Sequence, residues 1–315
     1  MRKTVNKTFI EGLLYQHSLE LKTSGPNSKN PGTQFISGNI EIATDDAGLN
    51  IVPVHFTYTT ATTSTGKANA TFTALMNIIN GVFKSVMGHG RDEATMLRID
   101  SAIGLNEFFS DRNGEEELVS VKRNEGGFVH ATNEINEDEN LRNTFECDII
   151  ITGVRHMDAD EEKNLPEKAI VKGFVFDFRN ALLPTEFSVL NPNAISYFEG
   201  LEATEINPVF TKIRGRQISE VVVRRIEEES AFGAPSVREV KNTRKDFVIT
   251  WAMSEPYVWD DASSITKAEF DKACSEREVY LATMKARSDE YKATRNAGVI
   301  TPVTTTTTTN SGFNF

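Results

Sequence analysis

Three cations stand at alternate positions in the second half of the chain: Lys212, Arg214 and Arg216. In a β-strand this spacing brings all three to one face, because successive side chains point to opposite sides of a sheet. Such a row can follow a sugar–phosphate backbone, each contact adding affinity that falls as salt rises. The plainer reading is a solvated sheet face, where cations discourage edge-to-edge association. Arg224 lies further along the same run, followed by Arg225, Arg238, Lys241, Arg244 and Lys245, with Glu227-Glu228-Glu229 between them as ready partners. In the first half, Lys122 and Arg123 precede Asn124-Glu125-Gly126-Gly127 and Phe128. That order reads as a glycine-rich hairpin carrying two cations and an aromatic ring, or as an ordinary turn.

Nucleobases need exposed aromatic faces to stack on. With 20 Phe in the chain most must be core, the usual place for Phe. Phe35 has the opposite parity to Ile36, Ile40 and Ile42, which makes it a candidate exposed ring. Tyr58 and His55 point to opposite sides of one strand, so only one of them can meet a ligand there. Phe174, Phe176 and Phe178 form a one-face stripe that reads as core, and Trp251 is a further stacking candidate. The DNA-binding set is therefore Phe35, Tyr58, Lys122, Arg123, Phe128, Lys212, Arg214, Arg216, Arg224 and Trp251.

Signals for catalysis are nearly absent. The five His, at 17, 55, 89, 130 and 156, lack the His-x-x-x-His spacing of a metal site. Gly88-His89-Gly90-Arg91-Asp92 has no Gly-Lys-Ser/Thr and is not a phosphate loop. No Gly-x-Ser-x-Gly elbow occurs. The carboxylates of Glu115-Glu116-Glu117 are consecutive and diverge. Cys147 and Cys274 are isolated, so no disulfide framework or Cys-x-x-Cys pair exists, and a reducing interior is expected. No cofactor or metal is implied.

The net charge of −11 at first argues against a nucleic-acid partner, but residues 131–167 hold eleven acidic against three basic residues, so most of the acidity is local. No apolar run reaches the ~20 residues of a membrane span, and residues 1–16 do not read as a signal peptide.

The elements that must position these residues follow from periodicity. Residues 8–21 read as a strand, and the Pro- and Gly-rich segment 24–32 as a loop. Ile36, Gly38, Ile40 and Ile42 alternate with polar residues, as do Val54, Phe56 and Tyr58, giving two half-buried strands. Phe72, Leu75, Met76 and Ile79 fall at helical spacing before Gly81. Strands return at 97–109, 117–122 and 127–132. The second half repeats the order: strands at 143–151, 169–178 and 185–190, a helix led by Asn191-Pro192-Asn193, then long strands at 209–226 and 237–253. Asn143-Thr144-Phe145 echoes Lys7-Thr8-Phe9. A charged helix, capped by Ser263 or Ser264, follows to about 295. The expected class is mainly β with minor α: two OB-like barrels over 1–140 and 141–262, a C-terminal helix over 263–298 and a flexible Thr-rich tail over 299–315.

Asn27-Ser28-Lys29-Asn30-Pro31-Gly32-Thr33-Gln34-Phe35-Ile36-Ser37-Gly38, followed by Ile40-Glu41-Ile42-Ala43-Thr44-Asp45, resembles a bacteriophage family of single-stranded DNA-binding proteins. Phe9-Ile10-Glu11-Gly12 and Asp100-Ser101-Ala102-Ile103-Gly104-Leu105-Asn106-Glu107-Phe108 add to the likeness, which covers mainly residues 5–130. The resemblance implies an OB-type fold and a strand-coating role in replication or recombination. Many bacterial single-stranded DNA-binding proteins end in an acidic tail closed by Phe. Here Phe315 is last and Phe313 is near it, but Thr304–Thr309 and Asn310 stand where acids would be.

The expectation is a non-enzymatic single-stranded DNA-binding protein in the cytoplasm of an infected bacterium. Its tail would meet phage or host replication or recombination proteins, no membrane would be involved, and homo-oligomers are left open. The rivals are a virion structural or decoration protein and, last, a nuclease or annealing enzyme.

Overall fold

The computed structural model describes residues 4–112, 115–159, 166–228, 236–261 and 264–296, with the side chains of 112, 115, 220–244 and 295–296 outside that set. The first half holds β1 (Asn6–His17), β2 (Glu20–Thr23), β3 (Gln34–Ala43), β4 (Ile51–Thr60), helix α1 (Ala70–Ile79), a single turn α2 (Val86–His89), β5 (Met96–Arg112) and β6 (Glu115–Ala131). The second holds β7 (Asn143–Met157), β8 (Lys168–Phe176), β9 (Leu182–Val189), helix α3 (Pro192–Gly200), β10 (Val209–Glu228) and β11 (Ser236–Ala252), followed by α4 (Lys267–Asn296).

The pairings close two barrels by the same circuit. In the first, β1 runs antiparallel to β3, β3 to β4, β6 to β5 and β5 back to β1, while β4 and β6 meet in parallel at Val54–Asn124 and His55–Glu125. In the second, β7, β8, β9, β11 and β10 repeat that ring, with the parallel contact at Ser188–Val248. Each ring carries a helix between its third and fourth strands in chain order. This is the five-stranded OB arrangement twice over, mainly β, with a C-terminal helix.

Alternation along the strands fills both interiors. Ile10, Leu14, Ile36, Ile40, Ile42, Val54 and Phe56 point inward in the first barrel, and Leu75 and Ile78 of α1 plug it. Phe145, Cys147, Ile149, Val171 and Phe187 do so in the second, plugged by Ile195 and Phe198 of α3. Each such side chain contributes about 1.5–3 kcal/mol when fully buried. A third cluster, with Phe176, Phe210 and Phe270, seats the start of α4. The cap of α4 is Thr266 rather than Ser263 or Ser264. The Thr266 hydroxyl accepts from Glu269 N, and the Glu269 carboxylate accepts from Thr266 N, a reciprocal capping box. Later turns of α4 are polar and are held to the β5–β6 ribbon by charge: Arg277 bonds Glu107 at 2.6 Å, and Lys285 and Lys292 both reach Glu116.

Two features depart from the pattern read along the chain, both through glycine. The expected first strand stops at His17, because Ser18 crosses against Gly38, where a Cβ would lie 2.2 Å from the Ser18 carbonyl oxygen. The expected hairpin at 122–127 does not exist either. Gly126 and Gly127 take φ of 65° and 114°, and the chain passes straight through as one strand, bulged opposite Asp100 and Ala102. A Cβ at Gly127 would lie 2.0 Å from the Asp100 carbonyl oxygen.

The barrels are joined strand to strand. β1 and β7 pair antiparallel from Asn6–Cys147 to Ile10–Asn143. At the two ends of this ladder Glu11 N donates to Arg142 O and Asp148 N donates to Val5 O. The arrangement is reciprocal. Asn6 donates to Ile103 O of its own barrel and Phe176 O of the other, while Asn143 donates to Gln217 O of its own and Thr44 Oγ1 of the other. Glu11 and Asp148, both fully buried, each stand three residues before the bulge of their strand, at Leu14 and Ile151. The echo of Lys7-Thr8-Phe9 in Asn143-Thr144-Phe145 is therefore one residue out of register. By bulge and burial Ile10 corresponds to Cys147, and Thr8 to Phe145.

Replacing Asn143 with Ala removes its bonds to Thr44 Oγ1 and Gln217 O, leaving Gln217 O with the longer 3.5 Å bond from Asn50 Nδ2, a cost of about 1–3 kcal/mol. Urea unfolding is expected to show that loss in one transition covering both barrels. Two separated transitions in the wild-type chain would refute the coupling.

Candidate functional site

Along β10 the side chains of Thr211, Ile213 and Gln217 are buried, with Gly215 on the same buried face, while Lys212, Arg214 and Arg216 lie on the opposite face. The alternate spacing thus gives the one-sided row it predicts. Cross-strand pairing sets Arg214 beside Glu146 of β7 and Trp251 of β11, and Arg216 beside Thr144. The Arg214 guanidinium lies 4.6 Å from the centre of the Trp251 ring, which is 43% exposed, so cation and aromatic form one stacked unit at the surface.

The row is not free of partners. Glu146 sits between two of its members, 3.2 Å from Lys212 Nζ and 2.8 Å from Arg214 Nε. Burial pushes the Glu146 carboxyl up, but the hydrogen bonds and charges of Lys212 and Arg214 outweigh it and hold the group below its ordinary range. Lys212 also lies 4.0 Å from buried Asp148, and Arg216 donates to Asn140 Oδ1. A phosphate reaching this row competes with Glu146 for Lys212 and Arg214. Motif reading missed Glu146, and its only trace in the sequence is its place in β7.

The other expected residues lie elsewhere. Phe35 and Tyr58 stack on each other at the end of the first barrel, centroids 4.4 Å apart, with the Tyr58 hydroxyl 3.2 Å from Ser24 Oγ. Phe35 is half-buried there, and Tyr58 and Phe128 are exposed. Lys122 does not project from a hairpin. It reaches across to the second barrel, donates to Glu186 O and lies over the rings of Phe187 and Phe247 at 4.4 and 4.2 Å. Arg123 is turned inward to Glu125 at 3.0 Å, whose carboxylate also accepts from Thr57. Arg224 lies in β10 opposite Val240, and its side chain is outside the described residues, as are Phe313 and Phe315. Of the expected Phe174–Phe178 stripe, Phe176 is core and Phe178 is exposed.

Beside Arg123, His55 lies 2.8 Å from Asn39 Oδ1. Burial first, then the Arg123 guanidinium, depress its imidazole to about 4, with Glu125 opposing. Since the folded value lies below the ordinary histidine value of 6.5, the stabilisation is complete above that pH and is lost as pH falls towards about 4. His156, raised chiefly by its hydrogen bond to Glu199, acts the other way, losing its contribution only as pH rises above its unfolded value. Between pH 6.5 and 4 the wild-type urea midpoint is expected to fall more steeply than that of His55→Gln. Equal slopes would remove His55 as the cause.

Among the described residues no cluster of three or more His, Cys, Asp or Glu could hold a metal ion, and no helix is long and apolar enough to cross a membrane. The model of a family described as YorF matches residues 4–287. No curated protein matches the sequence. The chain is similar to two solved structures of the single-stranded DNA binding protein from Thermus aquaticus. A deletion mutant matches at 10% identity and a TM-score of 0.44, covering 83% of this chain and 98% of that one. The wild type matches at 10% identity and a TM-score of 0.42, covering 84% and 98%.

Proposed function

We propose that this chain, which belongs to the YorF family, is a non-enzymatic single-stranded DNA-binding protein that coats and protects strands in phage replication or recombination. The observation that carries the reading is the exposed Arg214–Trp251 stack set within the Lys212, Arg214 and Arg216 row on an OB barrel. Phosphates bind such a row electrostatically and bases stack on the aromatic, which needs no particular sequence. OB barrels commonly serve this purpose. Phe35 with Tyr58, and Phe128, are further places for bases on the first barrel. In this reading the chain works in the cytoplasm of the infected cell, and the segment with Phe313 and Phe315 meets a replication or recombination partner.

The test is fluorescence anisotropy with labelled oligo-dT, a matched duplex and single-stranded RNA at several salt concentrations. Oligo-dT is expected to bind above duplex, and a row of three phosphate contacts alone contributes about −2 to the slope of log K against log salt, at roughly −0.7 per contact. No binding at low salt overturns the proposal.

Trp251→Ala is expected to weaken oligo-dT binding by ~1–3 kcal/mol, the value of one stacked base. Glu146→Gln should do the reverse, tightening binding and steepening its salt response, because it removes the carboxylate that competes for Lys212 and Arg214. Unchanged affinity in both variants would show that the strand does not use this face.

A further inference from the structure

A second basic feature lies away from the β10 row, at the seam where β9 and β11 meet in parallel. There the second barrel has a groove of about 330 Å³, lined by Lys122, Lys168, Lys245, Phe187, Phe247 and Asp246 among others. Its composition is unusual for a wall of core aromatics. The two rings belong to the packing of the second barrel, Phe187 lying 5.2 Å and Phe247 5.6 Å from Phe145 between ring centres. Their outer side is covered by a cation from the other barrel, Lys122.

The charges of the groove do not cancel. Glu186 is matched by Lys172 at 3.3 Å, and Asp246 by Lys168 at 3.6 Å and by the Ser188 hydroxyl at 2.7 Å. Four lysines against two carboxylates leave an excess of two positive charges, carried by Lys122 and Lys245. Lys245 is exposed and has no ion-pair partner among the described residues. Lys122 has three N–H donors, yet the Glu186 carbonyl is its one hydrogen-bond acceptor among the described residues. The rings below it attract the charge but accept no conventional hydrogen bond. Burial pulls the Lys122 ammonium down to about 8, against the pull of Asp246 and other anions, as expected of a cation short of anionic oxygen.

We propose that this groove is a phosphate seat, in which Lys122 and Lys245 hold the oxygens of a phosphate ester while Lys168 remains with Asp246. The chemistry favours phosphate over a base because Lys122 already covers both rings, so no aromatic face is left for stacking. The ester is supplied by a bound DNA strand, as an internal phosphodiester or a terminal phosphate. That source rests on the function proposed above; the anion chemistry does not.

The experiment uses the full chain, with Lys245→Gln as the surface variant and Lys122→Met as the variant that keeps a chain of similar length on the two rings. Inorganic phosphate, compared with chloride at equal ionic strength, is expected to shift the backbone amide resonances of Ser188, Asp246 and Phe247, and both variants should lose the shift. Oligo-dT with a 5′-phosphate and with a 5′-hydroxyl separates the two sources. A loss of about tenfold per lysine on both oligonucleotides identifies an internal phosphodiester, and a loss confined to the 5′-phosphorylated one identifies a terminal phosphate. Equal shifts with chloride and phosphate overturn the seat. So does unchanged oligonucleotide affinity in both variants while Trp251→Ala still weakens binding, an outcome that leaves strand binding intact. Phosphate-specific shifts in a chain that binds no oligonucleotide would uphold the seat and remove the strand as its source. If Lys122→Met fails to fold, Lys245→Gln decides each comparison alone.

Discussion

The antiparallel pairing of β1 with β7 is the constraint on which the rest of the molecule depends. Each of these strands is the first of its barrel and already serves two neighbours there. Lending its remaining backbone groups to the other barrel turns two closed rings into one continuous set of hydrogen bonds. Asn6 and Asn143 extend the ladder sideways, each amide joining a carbonyl of its own barrel to an oxygen of the other. Buried polar groups left unpaired are costly, so any relative movement of the barrels would break several bonds together. The placing of Lys122 over Phe187 and Phe247 follows from that rigidity, since a cation from one barrel can rest on rings of the other only if the two keep a constant spacing.

The same economy governs the charges. A chain of net charge −11 shows a basic face only where its acids are spent elsewhere. Many of its cations are tied to particular carboxylates: Arg98 to buried Glu11, Arg123 to Glu125, Arg142 to Asp46, Arg277 to Glu107. Others remain near the surface in arrangements that an anion can enter. On β10 a single carboxylate, Glu146, is shared by two cations. At the seam two lysines exceed the local carboxylates. Both places present positive charge beside aromatic rings, but only Trp251 offers an exposed ring.

Much of the fold was legible in the residues. Period-2 alternation located β3 and β4, helical spacing located α1, and the Asn191-Pro192-Asn193 lead located α3, because a half-buried strand and a helix packed on a barrel impose their periods on the chain and Asn before Pro opens a helix. The repeated order of elements pointed to two barrels. The misread strand boundaries were local and had one cause. Gly126–Gly127 read as a turn and Gly38 as an ordinary strand position, yet both are places where backbone approaches backbone, and a close approach is a property of two segments far apart in the chain.

What the sequence determined by itself was the mainly β fold class and the alternation that sets Lys212, Arg214 and Arg216 on one face. These depend on neighbours a few residues away and on the geometry of a single strand. Tertiary structure alone decided which cations are engaged. Glu146 meets Lys212 and Arg214 across a strand pairing, and Lys122 crosses to the second barrel. Electrostatic attraction falls with distance through space and is indifferent to separation along the chain, so the partner of a charge becomes known only when the strands are brought together.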